Sequence, residues 1–346
     1  MQPTSQVYSV RPALWRGAAG LFGFVAVYAL VQLVLEHPPQ EGCYSIFGYQ
    51  LYTAVLYRVL VQMCVFIIAA VSMNLINGIT GQFSLGHAGF MAVGGYLAAA
   101  CSSLLHWPFA VALLVGGIAA ALLGLLVGLP TLRLRGDYLA IATIGMGEIV
   151  RVLFENIQAF GGAGGFSGIM PPAPLLHLGS DEYALWGWAV LCMALTLLLI
   201  TNFVRSSHGR ACIAIREDEL AAETMGINTT FFKVLAFCVG AAFAGIAGGL
   251  LAHLNYTITP DSAGFLMSVQ ILVMVVLGGL GSIAGSVMAA ILLTLVNNQT
   301  ADMSTWRMVI YAVLLVVLMI FRPQGLLGRG LHLSRWLKRR ERADVA

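Results

Sequence analysis

Apolar residues run through this chain in long blocks, each interrupted by a short polar or glycine-rich stretch. A bilayer hydrocarbon core of about 30 Å is crossed by roughly 20 apolar residues in a helix, and irregular lipid-facing backbone is not tolerated within it. On that measure the blocks predict an all-α, polytopic membrane protein of about ten transmembrane helices. They fall at 17–35, 56–76, 83–105, 109–129, 138–154, 184–204, 231–251, 265–280, 283–296 and 306–321, and Pro130 marks the end of the fourth. The whole of 1–346 reads as a single transmembrane domain.

An even number of spans puts both termini on one side, and positive charge in the short loops identifies that side as cytoplasmic. With the N-terminus inside, the cytoplasmic segments hold 15 of the 18 Lys and Arg residues, from Arg11 and Arg16 through the 133–135 and 205–233 loops to the tail. The exceptions are Arg58 and Arg307, near outer helix ends, and Arg151 within the fifth span. Independent loops agree in sign, so the helix count and the orientation support each other.

Composition agrees with the pattern. Hydrophobic residues make up 59% and charged residues 10%, whereas a soluble domain carries about 25% charged residues. The net charge of +3 is concentrated in a basic tail, 322–346, whose RWLKRRER run reads as a topology anchor beside a span rather than as a nucleic-acid site. The six cysteines have no metal-like spacing, and most sit in apolar runs as small hydrophobes. The N-terminal stretch lacks a short apolar region with a small-residue cleavage site, so it is expected to be retained.

Two connections exceed simple hairpins. The outer one, a long periplasmic loop at 156–183, contains GGAGGFSG (Gly161, Gly162, Gly164 and Gly165 among its glycines) followed by MPPAP, and fits either an exposed loop or a gate or docking surface. The inner one, 205–229, mixes both charge signs with apolar steps at Ile213, Ile215, Leu220 and Met225, and predicts short amphipathic helices outside the membrane. Many of the 39 glycines lie within spans, where they serve close helix packing or broken helices lining a cavity. The clusters at 78–89 and 278–285 flank Gln82, Ser84 and His87, and Ser282 and Ser286.

No GxxxxGK[ST] motif is present, and with Lys233 and Lys338 as the only lysines no phosphate-cradling loop exists in this chain. HExxH, GxSxG and metal-ligand clusters are also absent, so no catalytic residue or metal site is expected. Ionisable groups within spans are costly and face protein or water. Glu148, Arg151 and Glu155 share one helix face, as an internal ion-pair cluster or, for Glu148, as part of a substrate path. His87, three residues after Ser84, fits a helix-to-helix hydrogen bond or a ligand contact.

Several segments together resemble the larger, M-type permease subunit of branched-chain amino acid ABC importers. They are NLINGITGQFSLGHAGFMAVGGYLAA (74–99), RLRGDYLAIATIGMGEIVRVL (133–153), GGAGGFSGI (161–169), GRACIAIREDELAAETMGI (209–227), VVLGGLGSIAGSVMAA (275–290) and RPQGLLGR (322–329). The resemblance implies an ABC importer permease fold in a bacterial inner membrane; the glycine-flanked Gly81, Gln82, Ser84 and His87, with Glu148, are the candidates for its translocation path. It also implies an H-type permease partner, two ATPase subunits that bind ATP and Mg, and a periplasmic binding protein; no cofactor would be bound by this chain. The segment Arg216 to Gly226 would be the coupling helix, through Arg216, Glu217, Asp218, Glu219, Ala221, Ala222 and Gly226. The importer pattern EAAxxxG is partly kept: with Ala221, Ala222 and Gly226 aligned, Leu220 stands where the glutamate belongs and Glu219 lies one position early. Alternatives are a secondary transporter driven by protons or sodium, an intramembrane enzyme, or the same importer family carrying urea, short amides or aromatic acids.

Overall fold

The computed structural model describes residues 43–46, 49–131, 136–172, 184–299 and Val313. The spans expected at 17–35 and 306–321 and the basic tail therefore lie outside the described residues, Val313 apart, which is helical. A short antiparallel hairpin, β1 (Cys43–Ile46) and β2 (Tyr49–Tyr52), leads directly into α1 (Thr53–Asn74). Then come α2 (His87–Ser103), α3 (Phe109–Thr131), α4 (Asp137–Asn156) and α5 (Ala184–Arg205). Two short helices follow, α6 (Ser207–Glu217) and α7 (Glu219–Thr224), and then α8 (Thr229–Asn255), α9 (Phe265–Gly278) and α10 (Ile283–Gln299). Each span expected between 56 and 296 thus contains a helix, and the amphipathic helices expected at 205–229 form as α6 and α7.

Among the described residues, four stretches are long and apolar enough to cross a bilayer: Ala54–Ile79, Phe109–Thr131, Ala184–Arg205 and Thr229–Asn255. The surface of α3 identifies the solvent. Leu114, Ile118, Leu122 and Leu126 recur every fourth residue and are each about 60% exposed, where a water-facing helix would carry charge on its outer face. Their setting is hydrocarbon, and the polar residues turn inward instead. Ser72, Asn74, Asn77, Thr80, Gln82, Ser84 and His87 are all buried.

Glycine sets the central packing of α2, α3 and α8. A Cβ on Gly94 would strike the backbone of Gly245, one on Gly116 the carbonyl of Gly94, and one on Gly248 the carbonyl of Met91. These helices approach backbone to backbone, as small residues allow in lipid. Phe90 packs edge-on against Phe237 with ring centroids 5.4 Å apart, and Ser102 bonds the buried His253 ring at 2.9 Å. Helix α1 lies against α8 of this trio, with Val61, Val65, Ile68 and Ala69 fully enclosed.

Most boundaries differ from expectation by a few residues, and three of the differences have a local cause. Helix α2 starts at His87 rather than 83, α9 stops at Gly278 rather than 280, and Pro130 sits in the last turn of α3 instead of ending it. The first two arise from the glycine breaks described below. In the third, Pro130 gives up one i→i−4 bond and only Thr131 follows it in the helix. At 27 residues α8 is about 40 Å long at 1.5 Å per residue. Its first turns meet α6 and α7, and its last reach a small ribbon of β3 (Phe166–Ser167) and β4 (Thr257–Ile258). The two groups of loops are therefore at opposite ends of the bundle.

Gly248 and Gly145 give a paired test. Gly248→Ala should lower the stability of the purified protein by about 1–3 kcal/mol, the usual range for overpacking, because its Cβ would meet backbone. Gly145 has open space at its Cβ position, so Gly145→Ala should be neutral or raise stability by about 0.5–1 kcal/mol. Thermal unfolding in detergent measures both.

Candidate functional site

At one end of the bundle α1 does not finish as an α-helix. It widens into a π-helical turn, Leu75–Ile79, and the chain then runs without helix to Gly86. Non-helical backbone at such depth requires partners inside the protein, and side chains supply them. Asn77 both donates to the carbonyl of Ser84, at 3.0 Å, and accepts from its N–H, at 3.3 Å. The Leu85 N–H donates to Thr143 Oγ1 at 3.0 Å, and that of Ala88 to Ser268 Oγ at 3.1 Å. Gln82 Nε2 donates to the Lys233 carbonyl at 3.2 Å.

A second break abuts the first. Helix α9 ends at Gly278, and the chain turns through Gly279 and Gly281, both at positive φ, into α10. The Gly281 N–H donates to Asn74 Oδ1 at 2.8 Å. A Cβ on Gly78 would overlap both groups, so the two breaks touch through glycine backbone.

Arg216, near the end of α6, closes this junction. Its Nη1 donates to the Gly78 carbonyl at 2.6 Å, and a Cβ on Gly81 or Gly281 would meet its side chain. Gly81 is held at φ +74°, a conformation that glycine adopts freely. Arg216 is also paired with Glu217, whose side chain is largely exposed. One guanidinium therefore joins the amphipathic loop to both broken segments.

The segment expected as the coupling helix, Arg216 to Gly226, takes in the end of α6 and the whole of α7. Asp218 leaves helical geometry and its Oδ1 caps α7 by accepting from the Ala221 N–H at 3.0 Å. Such a cap satisfies backbone donors that a helix start leaves free. Glu219 turns inward to Lys233 of α8 at 2.6 Å, Ala222 is buried, and Gly226 ends the turn at φ +83°. Glu223 accepts from Thr229 Oγ1 at 2.8 Å. Against this tethered side, Leu220 and Met225 are 62% and 82% exposed.

Of the expected path residues, Gly81, Gln82, Ser84 and His87 share the broken segment. His87 Nε2 meets Ser72 Oγ of α1 at 2.9 Å, a helix-to-helix bond. Glu148 lies apart from them, on α4, where Arg151 pairs with it at 2.7 Å and also approaches Glu155 at 3.6 Å and Asp261 at 3.8 Å. This cluster stands at the opposite end, beside the loop of Gly161, Gly162, Gly164 and Gly165. That loop is tied into the bundle: β3 pairs with β4, the Ile169 N–H donates to the Tyr256 carbonyl, and a Cβ on Gly165 would overlap the Ile258 carbonyl. Beneath it Tyr96 stacks on Phe154 with centroids 4.0 Å apart.

Sequence reasoning passed over Asn74, Asn77, Gly78, Thr143, Gly281 and Lys233 as site residues. Two asparagines within an otherwise apolar run, and a lysine inside a span, were the available signals. At the junction Asn74 Nδ2, Gln82 Oε1 and Ser84 Oγ have no hydrogen-bond partner. Buried polar atoms nearly always have one, so these three set the junction apart from the rest of the core. Among the described residues no cluster of His, Cys, Asp and Glu is placed to hold a metal ion.

Cys212, on the buried side of α6, reports on whether this assembly stays closed. Burial pushes its thiol up to about 11, and its Sγ lies 3.8 Å from the Phe232 carbonyl. The raised value keeps it protonated at pH 8, and thiolate is the reactive form. In the folded protein it should resist maleimide at that pH and react on unfolding, as mass spectrometry of labelled peptides would reveal.

Comparison with known proteins adds the family. Residues 55–320 match the family model described as the branched-chain amino acid transport system / permease component. The high-affinity branched-chain amino acid transport system permease protein LivM of Escherichia coli (strain K12) is 37% identical over 287 residues, covering 76% of this chain and 68% of that one. LivM of Salmonella typhimurium matches to the same extent. LivH of Escherichia coli (strain K12) is 37% identical over 145 residues, 41% of this chain and 46% of that one. No solved structure matches. A helical bundle with a lipid-facing leucine stripe, a polar junction of broken helices and a family match over most of its length together establish that the chain belongs to the permease components of branched-chain amino acid transport systems.

Proposed function

We propose that this chain is the M-type, pore-forming subunit of an ATP-driven importer that carries branched-chain amino acids across the bacterial inner membrane. It pairs with an H-type permease subunit, is energised by two separate ATPase subunits and receives substrate from a periplasmic binding protein. About ten spans with both termini in the cytoplasm fit the charge pattern of the loops. The Arg216 end then faces the cytoplasm and the Asp261 end the periplasm. ATP and Mg act on the partner subunits.

The observation that carries this reading is the bond from Arg216 to the Gly78 carbonyl. An amphipathic pair of helices with Leu220 and Met225 outward offers an apolar side to a groove on a soluble partner. Its inward side is tied to α8 by Glu219 and Lys233, and to both helix breaks by Arg216. A shift of α6 and α7 therefore reaches the broken segment directly. The unpartnered atoms of Asn74, Gln82 and Ser84 would gain partners in the other state of an alternating-access cycle, or as substrate passes. Gly81, Gln82, Ser84 and His87 accordingly line or support the path. Glu148, held by Arg151, braces the outer end. The loop Gly161 to Gly165 forms part of the surface on which the binding protein settles.

Reconstituting the four-component importer in proteoliposomes tests this. Leucine uptake should require internal space, ATP and loaded binding protein. Arg216→Ala should cut uptake about ten- to hundredfold, in keeping with the loss of a charged hydrogen bond of about 1.5–3 kcal/mol, while ATP hydrolysis continues. Uptake driven by an ion gradient without ATPase subunits would overturn the importer reading. Normal uptake by Arg216→Ala would overturn the coupling route.

A further inference from the structure

Arg58 departs from the charge distribution that the loops otherwise follow, and its surroundings give it a use. It lies in the second turn of α1, at the same end as Asp261, with an exposed side chain. Nη2 donates to Asn255 Oδ1 at 3.1 Å. Among the described residues no carboxylate stands within ion-pair distance of it, whereas Arg151, Arg216 and Lys233 each have one.

Beside Arg58 is a cavity of about 290 Å³. Its rim is polar, with Arg58, Asn255, Thr259 and Ser262. Its inner wall is apolar, with Met91, Leu251 and Ile258 beside the small residues Ala92, Gly248 and Ala252. Ser262 Oγ donates to the Thr259 carbonyl at 2.7 Å, which leaves its lone pairs free to accept. Met91 is one helical turn beyond His87, so the cavity descends from the outer loop toward the place where α2 begins.

The dimensions and chemistry select a ligand class. Pockets for small molecules range from about 300 to 1,000 Å³, so this one takes a single small molecule and not a peptide. A guanidinium that no carboxylate among the described residues pairs with can recognise a ligand carboxylate, with two parallel donors to offer it. Hydroxyl oxygens at the rim can accept from an ammonium group, and the apolar wall suits a short aliphatic chain.

We propose that this cavity is the outer receiving site for the transported aliphatic amino acid, which rests on the importer function proposed above. Arg58 pairs with the α-carboxylate, Thr259 and Ser262 face the ammonium group, and Met91, Leu251 and Ile258 receive the side chain. Arg58 holds the substrate after its release from the binding protein and before the path opens further along the broken segment.

The complete reconstituted importer, with its binding protein, tests the proposal through ATP-driven uptake of leucine, isoleucine and valine. Arg58→Gln should lower uptake of all three about tenfold or more, the scale of a lost charge-assisted hydrogen bond, while ATP hydrolysis stimulated by loaded binding protein persists. Arg58→Lys should recover part of the uptake, because it keeps the charge without the fork. Ala252→Val narrows the apolar wall and should raise the ratio of valine to leucine uptake, a change that a purely structural role for this region would not produce. Wild-type protein that transports, together with Arg58→Gln and Ala252→Val variants that keep wild-type rates and ratios, overturns the cavity proposal alone. A wild-type complex that takes up none of the three amino acids overturns the proposed function instead. If Arg58→Gln fails to assemble, the Ala252→Val ratio decides: a shift toward valine supports the site, and an unchanged ratio overturns it.

Discussion

Backbone that leaves a helix inside a membrane protein must find its hydrogen bonds elsewhere, and most of the polar chemistry here answers that demand. Between Ile79 and His87 the partners come from Asn77, Thr143 and Lys233, which belong to separate parts of the chain. The Gly78 carbonyl takes the Arg216 guanidinium from the amphipathic loop. A helical hairpin would have needed none of these long-range contacts. The break fixes where α4, α6 and α8 can lie, and through them much of the bundle.

Glycine has the complementary role. In water, apolar side chains drive helices together, but lipid tails are as apolar as leucine, so close backbone contact has to supply the attraction. The contacts of Gly94 with Gly245 and of Gly248 with Met91 bring α2 and α8 together at the core. At the junction, Gly78 and Gly281 let two irregular turns touch. The same residue type thus gives rigid packing in the middle of the bundle and conformational freedom at its end.

Block hydropathy sufficed for the helices, because each apolar run from 56 to 296 was long and separated by recognisable breakers. It read through the start of α2, because Phe83 and Leu85 are apolar and nothing local distinguishes them from helix. Their backbone partner Thr143 is far away in sequence. The loop helices were visible in their mixed charge, but the division at Asp218 was not, since it depends on one side chain turning to cap α7. Arg151 with Glu148 and Glu155 was legible from helical spacing alone, whereas its third carboxylate, Asp261, comes from a distant loop. Helical periodicity conveys contacts within a helix; contacts between breaks depend on the packing of several helices at once.

Helix α8 is longer than the hydrocarbon core it crosses. At about 40 Å against about 30 Å, it exceeds the hydrocarbon thickness and carries Lys233 near one end and Asn255 at the other. Lys233 holds the amphipathic loop through Glu219, and Asn255 holds Arg58. In the importer proposed above, the two mouths of the passage would therefore share a connecting rod. A stiff strut in place of a hinged linkage would keep an inner door and an outer vestibule from taking up their positions independently, as a pump that must never open at both sides requires.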